Sequence, residues 1–289
     1  MIFIVNPTAG NGRAKSVWSI VERDLKRRGI HYKAHFTKGY NDGTRIARDL
    51  VQEQASGIIV AVGGDGTIHE VIQALANQKT VLGIIPAGSG NDLAHSLEIP
   101  ADPRDALEIL VRGNIRSLDL GKIGDRYFIN NAGIGLDAWV AKHASESKIK
   151  RWGKMGYLLT ALYGMVRYHQ SSIRMDIDGV SNRFSQVWLV AVCNVPYYGG
   201  GIPICPEAIP DDGSFQICVI HSIPRYKSLR AIVKILQGKH KGVTGIELFS
   251  ANKLIIESEH PLLLHTDGEI AGTTPVRIEV HHLSLRVVM

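Results

Sequence analysis

The sequence predicts an α/β N-terminal domain on a mostly parallel sheet, followed by a mainly antiparallel β domain. Three observations predict it. Short, β-branched runs alternate with stretches of helical periodicity as far as about residue 112, which is how a parallel sheet with crossover helices reads. Each of the first four runs ends in a polar or glycine-containing loop. Beyond about residue 120 the pattern changes to strands punctuated by Gly, Pro and Asp turns. The domains are set at 1–120 and 121–279, and a final strand near 280–289 is able to return to the first domain.

Ile2 to Val5 is the first apolar strand, ending in the loop Asn6-Pro7-Thr8-Ala9-Gly10-Asn11-Gly12. A helix follows from about Ala14 to Arg28. Lys15-Ser16 is preceded by Ala14 rather than Gly, so the common phosphate loop motif is not met, although Asn and Gly after a first strand suit nucleotide contact. Tyr32 to Phe36 reads as a strand, and Thr44 to Gln54 as a helix facing inward with Ile46, Ala47, Leu50 and Val51. The run Gly57 to Val62 is a buried strand, and Gly63-Gly64-Asp65-Gly66-Thr67 leads into a helix ending near Ala76. Such a turn brings backbone N–H groups close to a phosphate at a positive helix end. An ordinary strand–helix turn capped by Asp65 or Thr67 reads the same way. Val81 to Ile85 is the fourth strand, ending at Pro86-Ala87-Gly88-Ser89-Gly90-Asn91-Asp92. In a parallel sheet the loops at Asn6, Thr37, Gly63 and Gly88 should meet at one edge, where ligands bind.

After a helix over Pro103 to Arg112, strands are expected at 116–122 and 126–131, then a helical region from about Leu136 to Tyr168. Further strands are expected at 173–177, 183–192, 215–220, 254–258, 262–266 and 276–288, with one helix at Tyr226 to Gly238. The composition is that of a globular chain: 45% hydrophobic, 21% charged, net charge +6. That charge fits an anionic substrate or membrane surface. It is too diffuse for nucleic acid, and 7% aromatic residues with no basic–aromatic repeat agree. Cys193, Cys205 and Cys218 share no metal or redox spacing and read as reduced thiols of a cytoplasmic protein. No apolar stretch is long enough to span a membrane, and the N-terminus lacks the basic start of a signal peptide.

Taken in order, Asn6-Pro7-Thr8-Ala9-Gly10, Gly63-Gly64-Asp65-Gly66-Thr67, Gly88-Ser89-Gly90-Asn91-Asp92, Asp119-Leu120-Gly121, Asn131-Ala132-Gly133-Ile134-Gly135, Asp212-Gly213 and Asp267-Gly268-Glu269 span nearly the whole chain. This ordered set resembles the diacylglycerol kinase catalytic-domain family, in particular its bacterial soluble lipid kinases. The Gly-Gly-Asp-Gly-Thr piece alone is shared with NAD kinases, and a close variant with phosphofructokinases. The resemblance implies an NAD-kinase-like N-terminal domain and a β-sandwich C-terminal domain, with nucleotide and lipid meeting in a cleft between them. It implies ATP contacts by Thr37, by the turn from Gly64 through Asp65, Gly66 and Thr67 to Glu70, and by Ser89, with Asn6 and Asn91 in the same loops. Asp267 would be the catalytic base. Asp212, with main-chain oxygens of Ile209 and Ser214, would match a structural Mg²⁺ site. Two departures stand out: His69 where the family usually has Asn, placing a titratable ring near the phosphates, and Ser89 where it usually has Thr.

The chemistry suits these groups. Phosphoryl transfer asks for positioning and charge neutralisation. Asp65 on a glycine turn can hold the hydrated Mg²⁺ that arrives with ATP. Asp267 can orient an acceptor hydroxyl and take its proton late, with Glu269 supporting it or the metal. A solvated hairpin turn is the plainer reading of both, and an ordinary turn that of Asp212-Gly213. Lys142, Lys148, Lys150, Arg151 and Lys154 around Trp152, followed by Met155, Tyr157, Leu158, Leu159 and Leu162, suit a peripheral contact with anionic headgroups, or a plain amphipathic helix. The expected function is therefore an ATP-dependent lipid kinase, with diacylglycerol the leading acceptor, cytoplasmic and peripheral at the inner membrane face, with a homodimer left open. A kinase of a soluble metabolite such as NAD, and a nucleotide- or lipid-binding regulator without turnover, are the alternatives.

Overall fold

The computed structural model describes residues 1–53, 57–146, 160 and 163–289. They form two compact units, Met1–Leu120 with His282–Met289, and Gly121–His281.

The first unit is a sheet of parallel strands with helices between them. β1 (Ile2–Val5) pairs with β2 (Lys33–Phe36) on one side and β3 (Ile58–Gly63) on the other, and β3 pairs with β4 (Val81–Pro86), all parallel. The end of β15 (Val276–Val288) adds a further parallel strand, with Arg286 opposite Val81 and Val287 opposite Leu82. The central strands are fully buried from Ile59 to Val62, which is why they read as continuous apolar runs. Helix α1 (Arg13–Arg27) turns Ala14, Val17, Trp18, Val21 and Leu25 inward, one stripe at helical spacing. Trp18 packs on Phe3 and Tyr32 at ring distances of 5.1 and 5.8 Å. α2 (Asp42–Gln52) and α3 (Asp65–Leu75) complete the β1-to-β4 crossovers. The short α4 (Asp92–Ser96) and α5 (Pro103–Arg112) follow β4. α5 is bounded as its sequence demands: Asp102 accepts the N–H groups of Arg104 and Asp105, Pro103 stands at the first turn, and Gly113 closes the end with φ 71°.

The second unit is built from antiparallel strands. β5 (Ile115–Ile123) starts in the first unit and ends in the second, where it forms a hairpin with β6 (Arg126–Phe128); then come β7 (Asn131–Gly135) and α6 (Leu136–Glu146). β8 (Ser171–Ile177) pairs with the first half of the long β9 (Val180–Cys193). The second half of β9 lies between β7 and β10 (Phe215–His221). α7 (Arg225–Leu236), β11 (Ile246–Ala251), β12 (Lys253–Ser258), β13 (Leu263–Thr266) and β14 (Glu269–Thr273) follow. One core fills this unit, with Phe128 stacked on Phe215 at 5.5 Å and the Trp188 indole donating to the Ile223 carbonyl at 3.0 Å.

The differences from the sequence expectation have local causes. Residues 126–131 are two strands rather than one, because the amides of Ile129, Asn130 and Asn131 turn towards a carboxylate. β11 and β14 carry weak alternation and were not expected. Of the helical region at 136–168, α6 and the helical residues 160 and 163–167 are described, while most of the basic segment around Trp152 lies outside the described residues.

Candidate functional site

In the first unit, four loops gather at the carboxyl ends of β1 to β4. The chain leaves β1 for one side of the sheet and β3 for the other, so the loops after these two strands flank a topological switch point. They are tied together. Asn6 Nδ2 donates to Thr67 Oγ1 at 3.1 Å, while Asn6 Oδ1 accepts the Thr8 N–H and hydroxyl. The two glycine turns touch backbone to backbone: a Cβ built on Gly88 would stand 2.4 Å from Gly64 Cα. Only glycine at both places allows that approach. Asn91 folds its side chain over its own turn, accepting the Gly88 N–H at 2.8 Å and donating to the Gly88 carbonyl at 3.0 Å.

Asp65 is the first residue of α3, and Gly64 precedes it in extended backbone without a side-chain cap. Its carboxylate crosses to α4, where Oδ2 accepts the Asp92 N–H and Oδ1 the Leu93 N–H, both at 3.2 Å. Asp65 thus braces one glycine turn against the other. Gly66 and Ser89 are exposed beside it, and Thr67 is buried. Thr37 is buried and its N–H donates to the Val5 carbonyl. Glu70 serves the start of α2, its two oxygens accepting the Asn41 and Gly43 N–H groups at 3.0 and 2.8 Å. His69 is buried within α3. Arg13, which the sequence did not single out, donates from Nη2 to the Gly88 carbonyl at 2.6 Å and places an exposed cation at these loops. An exposed glycine at a helix start, with a guanidinium at the same loops, is an arrangement able to meet an anion.

In the second unit, Asp267 and Gly268 are the two central residues of the β13–β14 hairpin, both at positive φ (49° and 87°). Asp-Gly is the pair such a turn prefers. The carboxylate folds back into the unit: Oδ2 accepts the Ile129 N–H at 3.0 Å, and Oδ1 accepts those of Asn130 and Asn131 at 2.9 and 3.1 Å. The Asp267 N–H in turn donates to the Asn131 carbonyl at 2.9 Å. Asn194 holds the same loop, donating to the carbonyls of Ile129 and Asn130. Glu269 opens β14 opposite Thr266. Behind the turn lie two buried residues outside the predicted set, His265 and Asp137, whose ring Nε2 and carboxylate Oδ2 are 3.3 Å apart. Close to Asp137 lies Tyr168, its phenol held well above its usual range, chiefly by burial and then by the Asp137 charge. The signal for His265 was its place two residues before Asp267, and for Asp137 its place two residues after the Asn131–Gly135 motif.

Asp212 sits in the loop before β10, where its Oδ1 accepts the Ser214 N–H and hydroxyl at 2.9 and 3.0 Å. Ile209 is exposed in the same loop. Among the described residues no group of three or more His, Cys, Asp or Glu side chains is placed to hold a metal ion. A cation here would rest on one carboxylate, main-chain oxygens and water. That oxygen-only donor set fits Mg²⁺.

A family model described as the diacylglycerol kinase catalytic domain matches residues 1–123, and one described as the YegS C-terminal NAD kinase beta sandwich-like domain matches residues 130–289. The chain is 30% identical to a diacylglycerol kinase of Mycobacterium tuberculosis, over 98% of this chain and 93% of the relative. It is 28% identical to the diacylglycerol kinase of Bacillus subtilis, over 99% and 95%. Among solved structures, a diacylglycerol kinase from Bacillus anthracis superposes with a TM-score of 0.80 at 24% identity, over 99% of this chain and 96% of that one. An NAD kinase from Archaeoglobus fulgidus in complex with ATP gives 0.56 at 15% identity, over 100% and 93%, a likeness of fold.

Proposed function

Because the chain belongs to the diacylglycerol kinase catalytic-domain family and is a phosphotransferase of the lipid kinase type, we propose that it passes the γ-phosphoryl group of ATP to the hydroxyl of a membrane lipid, with diacylglycerol as acceptor and phosphatidic acid as product. The observation that carries this reading is the Asp267 carboxylate, fixed by three backbone amides on a two-residue turn. A carboxylate oriented that firmly costs no reorganisation when it meets a hydroxyl. Asp267 acts as the base, accepting the acceptor proton as the new P–O bond forms and the bond to the β-phosphate breaks, with ADP as the leaving group. Glu269 stands beside it on β14.

The nucleotide falls to the first unit. The amides at the start of α3, the Gly88–Asn91 turn and Arg13 face the phosphates, with Asn6, Thr37, Thr67 and Ser89 around them. Mg²⁺ bound with the triphosphate supplies charge neutralisation at the transferring phosphoryl group. Asp65, whose oxygens already order both glycine turns, is the residue to hold its water shell. Asp212, with main-chain oxygens of Ile209 and Ser214, is the residue for a bracing Mg²⁺ in the second unit. Contact with the membrane is peripheral. α7 supports it, since residues 225–246 hold six Lys or Arg and no acid, and Tyr226, Val233 and Leu236 stand exposed among Lys227 and Arg230. No helix among the described residues is long and apolar enough to cross a bilayer.

Steady-state kinetics of Asp267→Asn against dispersed diacylglycerol test the base. The expected result is a kcat about 10² to 10⁴ lower, the usual worth of a positioned base, with ATP affinity unchanged. Unaltered turnover removes Asp267 from that role.

A further inference from the structure

The Asp267–Gly268 turn is held from a second side. His265 is 2% exposed and lies on β13 opposite Gly133 of β7. Its Nδ1 accepts the Gly268 N–H at 3.2 Å, and a nitrogen that accepts an amide proton carries none of its own. The proton of the neutral ring is therefore on Nε2, which donates to Asp137 Oδ2 at 3.3 Å. The other oxygen of Asp137 accepts the Ala138 N–H at 2.8 Å, so the carboxylate is fixed in turn. Room for the pair is made by Gly133: a Cβ there would stand 1.9 Å from Asp137 Oδ2 and 2.4 Å from His265 Nε2. The Tyr198 ring lies nearly parallel to the imidazole, 8° between planes at 6.5 Å.

We propose that His265, with its tautomer set by Asp137, is a positioning residue that holds the turn from which Asp267 acts. The inference rests on Asp267 being the base. Asp267 itself has φ 49°, a conformation a side chain with a Cβ resists. Once the Gly268 N–H is released, the turn loses its tie to His265 and is held less firmly. A shift of about 1 Å in a reacting group can cost on the order of a hundredfold in rate. Asp137 stops the ring from flipping or from presenting a protonated Nδ1 to the amide. This explains why the Asn131–Gly135 segment carries glycine at 133 and why an acid follows it on α6.

Two substitutions separate the bonds. In His265→Asn the side-chain oxygen reaches about as far as Nδ1 and can still accept the Gly268 N–H. In His265→Gln the amide nitrogen reaches about as far as Nε2 and can still donate to Asp137, while the turn loses its partner. The expected outcome is kcat within about threefold of wild type for the Asn variant and about 10- to 100-fold lower for the Gln variant, with KM for ATP unchanged in both. Equal kcat per folded enzyme in the two variants would make His265 a space-filler and overturn the proposal. Long-range ¹⁵N–¹H NMR of the wild-type protein reads the tautomer without any assay of activity. A proton on Nε2 of His265 supports the arrangement, and a proton on Nδ1 overturns it. An Asp267→Asn enzyme of normal activity would instead overturn the base reading, a result that neither the His265 variants nor the spectrum can produce.

Discussion

Asp65 and Asp267, the two acids proposed to carry the chemistry, each accept backbone amides: among the described residues those of Asp92 and Leu93 for Asp65, and those of Ile129, Asn130 and Asn131 for Asp267. Both are acids next to glycine on a turn, and their place was legible because Asp beside Gly is what a turn prefers. Their partners were not legible, since the amides of Asp92 and Leu93 lie 27 and 28 residues away and those of Ile129 to Asn131 some 136 to 138. A single sequence carries no record of such pairings. Glu70 shows the same limit: it stands in the stretch proposed to meet the nucleotide, and its carboxylate bonds to the start of α2. Removing the Asp65 carboxylate leaves two amides at the start of α4 without their acceptor. Asp65→Ala should cost about 1–3 kcal/mol of stability and raise the Mg-ATP concentration needed for half-maximal rate. Urea unfolding with a Mg²⁺ and ATP titration checks both, and a normal titration would contradict it.

At the scale of elements, the alternating half was the easier to read. Buried parallel strands are continuous apolar runs, and the helices between them carry one apolar stripe, so β1, β3, β4, α1 and α5 sit within a residue or two of expectation. In the second unit burial is uneven: β7 is buried throughout, while β8, β11 and β14 are only partly buried. β11 and β14 have too little alternation to rise above their turns, and the break between β6 and β7 depends on a carboxylate far along the chain. α7 was legible as a helix, but its outward face was not. Ser228, Ala231 and Ile235 pack inward, which leaves Tyr226, Lys227, Arg230 and Val233 outside, with the Lys227 ammonium 5.7 Å from the Tyr226 ring. Each cation near an anionic surface is worth about 1 kcal/mol. Lys227→Gln with Arg230→Gln should therefore weaken binding to anionic vesicles by roughly tenfold or more and leave binding to neutral ones alone. Equal binding by variant and wild type would take α7 off the membrane.

The whole molecule also carries an acid sensitivity unrelated to its chemistry. His240 is fully buried, its Nε2 donates to the Ile204 carbonyl at 3.0 Å, and its Nδ1 has no partner among the described residues. Burial lowers its pKa in the fold, with the Ile204 bond working the other way. The unfolded chain therefore takes the proton first as the pH falls. The stability His240 contributes is complete above the ordinary imidazole value of about 6.5 and is lost below it. Melting temperature should drop between pH 7 and pH 5, and His240→Gln, which can keep the bond to Ile204, should flatten that slope. An equally steep slope in the variant would place the sensitivity elsewhere.

Both units serve one claim, that ATP and a lipid hydroxyl are the two substrates of a single transfer. Incubating the protein with γ-labelled ATP, Mg²⁺, a total lipid extract and NAD in one vessel, then separating the products, tests it directly. The expected product is labelled phosphatidic acid, absent when Asp267→Asn replaces the wild type. Label on NAD, or tight Mg-ATP binding with no labelled lipid, would contradict it.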